Sequence, residues 1–401
     1  MALAVKAVET QSRECSVESS GHEPGVPLSF EKFQPALRFL MVGGGTGGHI
    51  FPALAVAEEL RARGALAGPC GTKYLIEFLG TKRPLEARLI PGAGFPLRTV
   101  NAAGLKGMSG FRGVRNLMLL PRTAVATARV LRDFQPHVVV GVGGYLAGPV
   151  MVEAALQDIP TLLIEPNALP GFTNRALAPV VRLAAVGFEQ AARFYGEKAR
   201  VTGFPVRAAF HAIASKRHEA PFNILIVGGS QGSKAINELM VQCAALLRRE
   251  SGWLEVVHQT GETDYNAVRA AFLEHGVNAR VLAFIEDMPG ALAQADLVVS
   301  RAGAAAVAEL AAAGRAALLI PFPAATDQHQ LANARALERA GAARVILQAE
   351  LTPERLIREI HQLLSEPLRL IGMERAAKSL ARPEAAAHIA DLVEEMAVHP
   401  C

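Results

Sequence analysis

Cysteine is scarce in this chain of 401 residues: there are four, Cys15, Cys70, Cys243 and Cys401, spaced too widely for any CxxC pair. That spacing indicates neither a zinc site nor a disulfide framework, and it fits a reducing cytosol. Aromatic residues make up 5% of the chain, and its 41 Lys and Arg against 37 Asp and Glu, a net charge of +4, are dispersed. A nucleic-acid platform needs clustered cations and stacking rings, so none is expected, while a small positive excess suits an anionic partner such as a phosphate or an acidic lipid surface. Long uncharged runs are missing too. Arg301, Glu309 and Arg315 break the most apolar region and the first residues have no apolar signal core. Nothing therefore reaches the ~18 apolar residues of a membrane span, and a cytosolic or peripheral protein is expected.

What the chain does have is length, apolar content and glycine at chosen places. With 401 residues, 51% of them hydrophobic, it can build two cores, the usual outcome beyond ~250 to 300 residues. Residues 1–35 mix Ser, Glu, Gly and Pro without periodicity and read as a flexible extension. From Leu37 onward, short apolar runs alternate with helical patterns. Leu37 to Val42 is followed by a helix from about Phe51 to Arg63 that Pro52 helps to start, then by Tyr74 to Leu79, Val138 to Val140 with a helix from Pro149, and Thr161 to Ile164. After Pro221 the cycle restarts at Asn223 to Val227 and continues with Glu255 to His258, Arg280 to Ala283, Asp296 to Ser300 and Ala317 to Ile320. Buried strands separated by amphipathic helices predict parallel sheets. The expected architecture is α/β: two Rossmann-like, doubly wound domains, 36–206 and 221–380, joined by a linker over 207–220 and facing each other across a ligand cleft.

Three glycine-rich turns, each directly after an apolar run, mark that cleft: Gly43-Gly44-Gly45-Thr46-Gly47-Gly48-His49, Gly141-Val142-Gly143-Gly144-Tyr145 and Gly228-Gly229-Ser230-Gln231-Gly232. Glycine lets backbone approach a ligand, and the helix that follows presents unpaired N–H groups at the positive end of its dipole, so such turns favour phosphates. Gly43, Gly45 and Gly48 also match the dinucleotide fingerprint G-x-G-x-x-G, but the acid that should end the next strand and hold a ribose is absent. Tyr74 to Leu79 runs into Gly80-Thr81, and its one acid, Glu77, lies mid-strand. NAD is not expected.

His49 follows the glycines at a strand-to-helix crevice, where open α/β sheets place their ligands and where an imidazole can exchange a proton near neutral pH. Ser300 to Glu309 follows a strand, turns at Gly303 and opens a helix that ends near Gly314. The N–H groups of Ala304, Ala305 and Ala306 can cradle a diphosphate there, and Glu309, a turn and a half in, is either a partner for ribose hydroxyls or a solvated helix charge. Asp327-Gln328-His329-Gln330 suits a polyhydroxyl ligand, although an N-capping loop has the same composition. Residues 104–122 set Leu105, Phe111 and Leu117 among Lys106, Arg112 and Arg115 with no acid, the pattern of an interfacial segment on anionic lipid or of a core-facing helix with solvated arginines.

Taken in order, GGGTGGHIFPALAVA, GVGGYLAGPV, EPNALPGFTNR, TGFPVR, GGSQGSKAIN, FIEDM, ADLVVSRAGAAAVAELAAAG and PFPAATDQHQLANA resemble the MurG family, bacterial transferases that move N-acetylglucosamine from UDP-GlcNAc to lipid I and form lipid II for peptidoglycan. The resemblance spans about residues 37–345. It implies the glycosyltransferase B fold, with the last helix, within 381–401, crossing back to the first domain. It also implies a peripheral protein at the cytoplasmic face of the bacterial cell membrane. The partners implied are UDP-GlcNAc, lipid I, an anionic membrane surface and other cell-wall synthesis proteins, without nucleic acid. No cofactor or metal is implied, UDP-GlcNAc being a substrate. At the matched positions the Ile285 backbone would read uracil and Glu309 the ribose. Ser230, Arg207 and the helix start Ala304, Ala305, Ala306, Val307 and Ala308 would take the diphosphate, and Gln330 with His329 the sugar. Thr46, Gly47, Gly48 and Asn167 would complete the donor side. Gly45, Gly143, Gly144 and Tyr145 would face the acceptor's diphosphate, and Leu105, Lys106, Phe111, Arg112 and Arg115 the membrane.

The chain departs from the family where Ile164-Glu165-Pro166-Asn167 replaces the usual His-Glu-Gln-Asn, where Phe204 replaces Asn, and where Ala324 replaces a common histidine. These changes touch the acceptor side and the linker, since Pro166 fixes φ and removes a donor. The implied reaction is inverting: the muramyl 4-hydroxyl attacks the anomeric carbon as UDP leaves. His49 is the leading base and Glu165 the alternative or an orienting residue. Two other functions remain open at this point. One is a different UDP-sugar enzyme of the same fold, an epimerase or a glycolipid glycosyltransferase; the other is a UDP-sugar-binding regulator without turnover.

Overall fold

The computed structural model describes residues 36–44, 47–65, 74–100, 111–144, 146–250, 252–325 and 328–399, with backbone alone at 47 and 111–122. The extension expected over 1–35 lies outside them. The first half runs β1 (Leu37–Val42), α1 (Gly47–Ala65), β2 (Tyr74–Gly80), α2 (Pro84–Gly92), β3 (Leu97–Thr99), α3 (Phe111–Phe134), β4 (Val138–Gly141), α4 (Ala147–Leu156), β5 (Thr161–Glu165), α5 (Phe172–Leu177), β6 (Leu183–Val186), α6 (Glu189–Ala192), β7 (Ala199–Val201) and α7 (Ala208–His211). The second continues with β8 (Phe222–Val227), α8 (Lys234–Gln242), α9 (Ala244–Arg249), β9 (Leu254–Gln259), α10 (Tyr265–Glu274), β10 (Ala279–Leu282), α11 (Met288–Gln294), β11 (Leu297–Ser300), α12 (Ala304–Ala313), β12 (Ala317–Leu319), α13 (His329–Arg339) and β13 (Ala343–Val345), and closes with α14 (Pro353–Leu364), α15 (Pro367–Leu380) and α16 (Ala385–Val398).

All strand pairs are parallel, in a seven-stranded sheet ordered β3-β2-β1-β4-β5-β6-β7 and a six-stranded sheet ordered β10-β9-β8-β11-β12-β13. The strand order reverses between β1 and β4 and again between β8 and β11. Neighbouring crossovers there leave to opposite faces, so a crevice opens at the carboxyl ends of those strands. Two of the glycine turns follow β1 and β4 and the third follows β8.

The central strands β1, β4, β5, β11 and β12 are buried on both faces, as crossover helices on either side require. Along β1, Phe39 and Met41 enter the layer under α1, while Leu40 and Val42 enter the opposite layer with Val150 and Met151 of α4. Along β8, Ile224 and Ile226 pack with α8 and α14, and Leu225 packs toward α12. The helix after the first glycine turn begins at Gly47, five residues ahead of Pro52, so His49 stands in its first turn.

Helix α16 packs on the first half. Ile389, Ala390 and Val393 join the same cluster as Phe39 and Met41. Arg63 of α1 donates to Asp391 at 2.7 Å and to Glu394 at 3.0 Å, and Tyr74 donates to Glu394 at 2.7 Å. Among the described residues no helix is long and apolar enough to cross a membrane.

The segment leading into β8 is fastened by ions. His218, buried, faces carboxylates with both ring nitrogens, Asp296 at 2.7 Å and Glu374 at 3.2 Å, and Lys216 adds a bridge to Asp296 at 2.9 Å. The two carboxylates hold the imidazole protonated and raise its pKa from 6.5 to about 9. The stability this contributes is complete below the unfolded value near 6.5 and is lost as pH rises through about 9. Between pH 6 and 9.5, wild type should lose more of its urea resistance than His218→Gln does, by on the order of 2 kcal/mol. Parallel losses in the two proteins would show that the network does not set the alkaline limit.

Candidate active site

The crevices of the two sheets meet in one cleft of about 1810 Å³. From the first half it is lined by Gly48 and His49 at the start of α1, Gly143 and Gly144 after β4, and Asn167 after β5. From the second half come Gly228 to Ser233 after β8, Gln259 at the end of β9, Ile285 after β10, Ser300 to Glu309 around the start of α12, and His329 with Gln330 at the start of α13. Loops at the strand ends supply the floor, α2, α4, α5 and α8 add to the walls, and helices α1, α12 and α13 turn their N-termini inward, where partial positive charge gathers.

Glycine is required where the turns crowd backbone. A Cβ on Gly232, at φ +77°, would stand 1.8 Å from the Thr260 carbonyl oxygen, and one on Gly144, at φ +87°, 3.0 Å from the Gly44 carbonyl oxygen. The β1 and β4 turns therefore touch without side chains between them.

His49 Nδ1 lies 3.2 Å from the Gly44 carbonyl oxygen. A carbonyl only accepts, so Nδ1 carries the hydrogen and the lone pair of the neutral ring belongs to Nε2. Burial, with a smaller effect from His329, holds the imidazole pKa below its ordinary value. At neutral pH the ring is a base.

Glu309 also lines the cleft, and burial pushes its carboxyl up to about 7, with the Arg207 charge pulling the other way. Arg207 is exposed and lies over the rings of Phe51 and Phe210. Ser230 is likewise exposed on the cleft wall.

Other expected residues stand elsewhere. Glu165, fully buried, does not line the cleft. Its Oε1 accepts from the Asn167 backbone N–H at 2.8 Å and from Asn167 Nδ2 at 3.1 Å, while Oε2 accepts from Asn174 Nδ2 at 2.8 Å and the Tyr195 hydroxyl at 3.4 Å. The Glu165 carboxylate thus faces four internal donors and not the cleft space, the arrangement of an orienting group. The Val307 side chain is turned into the hydrophobic layer behind α12, and Ala308 lies off the cleft wall, because a helix presents only one face to the ligand space. The Ile285 N–H is engaged by Gln259 Oε1 at 2.9 Å, which leaves base reading there to the carbonyl unless Gln259 gives way. Gly45, Thr46, Tyr145, Leu105 and Lys106 lie outside the described residues. Gly47, Phe111, Arg112 and Arg115 are described by backbone only, in the first turns of α1 and α3.

Several cleft residues carry no motif signal of their own. Gln259 ends β9 and also donates to the Gly229 carbonyl at 2.8 Å, tying the β8 turn to the loop after β10; its place at a strand end was the available clue. Arg301, inside the Ser300 to Glu309 stretch, is buried with neutral partners: the Ser233 hydroxyl at 3.0 Å, the carbonyls of Ile320 and Pro321 at 3.0 and 3.3 Å, and Gln348 at 2.8 Å. Burial lowers its pKa to about 10, and among the described residues its hydrogen-bond partners include no carboxylate, so its charge borders the cleft without a close counterion there. Asn333, fully buried on α13, reaches the Glu165 loop. Among the described residues no group of three or more His, Cys, Asp or Glu is placed to hold a metal ion.

Two parallel sheets facing across one cleft make the glycosyltransferase B fold. Residues 39–186 match the glycosyltransferase family 28 N-terminal domain and residues 223–389 the family 28 C-terminal domain. A UDP-N-acetylglucosamine--N-acetylmuramyl-(pentapeptide) pyrophosphoryl-undecaprenol N-acetylglucosamine transferase of Solibacter usitatus is 43% identical over 363 residues, 90% of this chain and 97% of that protein. The transferase of the same name from Myxococcus xanthus is 43% identical over 365 residues, 90% and 94% of the two chains. The crystal structure of Acinetobacter baumannii MurG superposes with a TM-score of 0.71 at 33% identity, covering 90% of this chain and all of that one. The chain belongs to this family of N-acetylglucosaminyltransferases, the MurG enzymes.

Because Arg207 alone opposes the upward push on Glu309, Arg207→Ala should raise the carboxyl pKa above about 7, and added salt should reproduce part of the change in wild type. A pH titration of the 13C-labelled Glu309 carboxyl reads this. An unmoved midpoint would mean that the exposed guanidinium is fully screened.

Proposed function

We propose that this cleft moves N-acetylglucosamine from UDP-GlcNAc to the muramyl 4-hydroxyl of N-acetylmuramyl-(pentapeptide) pyrophosphoryl-undecaprenol, lipid I, giving lipid II for peptidoglycan. The observation that carries the assignment of roles is the meeting, across one cleft, of the His49 helix start from the first half with the Gly303 to Glu309 helix start from the second. His49 Nε2 takes the hydroxyl proton as the oxygen attacks the anomeric carbon. The bond from that carbon to the diphosphate oxygen breaks, UDP departs, and the configuration inverts to a β-1,4 link.

The departing diphosphate is met by the N-terminus of α12, Ser230 and Arg207, with Arg301 a buried cation behind them. Glu309 accepts from the ribose hydroxyls, Ile285 reads the uracil, and His329 and Gln330 contact the sugar. The Gly143–Gly144 turn supports the acceptor's diphosphate. Because that acceptor is a lipid, the protein acts as a peripheral protein at the cytoplasmic face of the membrane, and the basic and apolar alternation of residues 104–122 supports contact there. Incubating purified protein with labelled UDP-GlcNAc and a short-chain lipid I analogue tests the assignment; absence of a disaccharide product would overturn it.

His49→Ala should lower kcat by roughly 10² to 10⁴ fold with little change in UDP affinity, the range for losing a general base. Glu165→Gln, which keeps the volume of an orienting group, should lose less. Equal kcat losses would mean that His49 acts no more directly than the orienting carboxylate and is not the base.

Donor binding should follow the ionisation of Glu309. A charged carboxylate accepts from hydroxyls more strongly than the neutral acid, and this one titrates at about 7, so donor KM should fall between pH 6 and 8. Glu309→Ala should weaken the donor by about 1 to 3 kcal/mol and flatten that profile. A pH-independent KM in wild type would mean the carboxylate does not contact the ribose.

A further inference from the structure

Glu165, Asn167 and Asn333 form one hydrogen-bonded chain that passes from the first half of the molecule into the second. Asn333 is fully buried and uses its amide at both ends: Oδ1 accepts from the Ala168 N–H at 2.9 Å, while Nδ2 donates to Asn167 Oδ1 at 3.1 Å and to the Ala302 carbonyl at 3.2 Å. On both sides it adjoins residues that line the cleft. Ala302 lies directly before Gly303, the cap of α12, and Asn333 sits one turn into α13 from His329 and Gln330. On the other side, Glu165 orients both Asn167 and Asn174, and Asn174 packs beneath the acceptor-side turn, where a Cβ on Gly143 would stand 3.0 Å from its Oδ1.

The amide directions are set in sequence. Glu165 accepts both the Asn167 backbone N–H and its Nδ2, so Asn167 must turn Oδ1 toward Asn333. Asn333 must then turn Nδ2 toward Asn167, and this is also the direction that the Ala168 N–H and the Ala302 carbonyl require. A flip at either asparagine would leave a buried donor or acceptor unpaired, so the chain holds one arrangement.

We propose that Asn333 is the positioning residue that couples the donor subsite to the acceptor subsite, holding the start of α12 and the Glu165 loop in the single register at which the acceptor hydroxyl meets the anomeric carbon. The proposal rests on the function assigned above. A ligand that settles on the α12 start favours the register in which Ala302 and Asn167 share the Asn333 amide, and the same register favours the acceptor, so each ligand should tighten the other.

The test is calorimetric titration of UDP into the full-length protein, with and without a saturating short-chain lipid I analogue. In wild type the analogue should tighten UDP by about 10-fold, within the usual range for coupled sites. In Asn333→Ala, UDP alone should bind within about 3-fold of wild type, but the tightening should disappear, so that kcat falls and donor KM at saturating acceptor rises by up to about 10-fold. A residue that only stabilised the fold would lower Tm and leave the tightening intact, and that result overturns the proposal, as does its absence from wild type. Should Asn333→Ala fail to fold, Asn333→Asp keeps the acceptor for the Ala168 N–H and removes both donations, and the same loss of tightening is expected. Wild-type turnover of UDP-GlcNAc with the analogue is measured alongside; its failure would reject the assigned function and not the coupling.

Discussion

Parallel pairing of β1 with β4 and of β8 with β11 is the constraint from which the rest follows. A parallel strand can be joined to its neighbour only by a crossover, so every strand points the same way and every loop that leaves a carboxyl end emerges at one edge. Helices leaving that edge present their N-termini to it. Two such sheets facing each other surround one space with converging dipoles, backbone N–H groups and glycine turns thin enough to admit a diphosphate from either side. Both substrates of the assigned reaction carry one.

The charged groups of the cleft are tuned by burial more than by one another. His49 is held neutral, Glu309 is held near its midpoint at neutral pH, and Arg301 keeps its charge among neutral partners. A cation surrounded by carbonyls and a hydroxyl is costly to bury, and its field is not cancelled locally, which suits a place where negative charge arrives with the substrate and grows as the bond to the diphosphate breaks. Exposed Arg207 acts differently, since its field is screened by solvent and salt.

Much of this was legible in the residues. Long apolar runs ending in glycine gave β1, β4 and β8, because a strand buried on both faces has to be apolar throughout and the turn after it has to be thin. The edge strands β3, β7 and β13 escaped, being three residues each and including Arg98, Arg200 and Arg344, and β6 escaped as a four-residue strand one place in from the edge. Such strands are defined by the neighbour they pair with, and a local pattern does not hold that information. His49 and Glu309 were readable because they sit beside glycine turns. The reach of Asn333 was not readable, since it depends on how two segments some 165 positions apart are brought together, and the burial of Glu165 depends on the packing of Asn174 and Tyr195 around the end of β5.

The return of α16 to the first core makes the chain's ends depend on each other. Phe39 and Met41 near one end share a hydrophobic layer with Ile389, Val393 and Met396 near the other. During synthesis the first sheet emerges early with α1 and α2, but the part of that layer filled by α16 stays uncovered until α16 has left the ribosome, after the second sheet has been made. Helix α16 acts as the closing clasp of the first fold, and a chain cut short before residue 385 would leave the ribosome with an open hydrophobic seam.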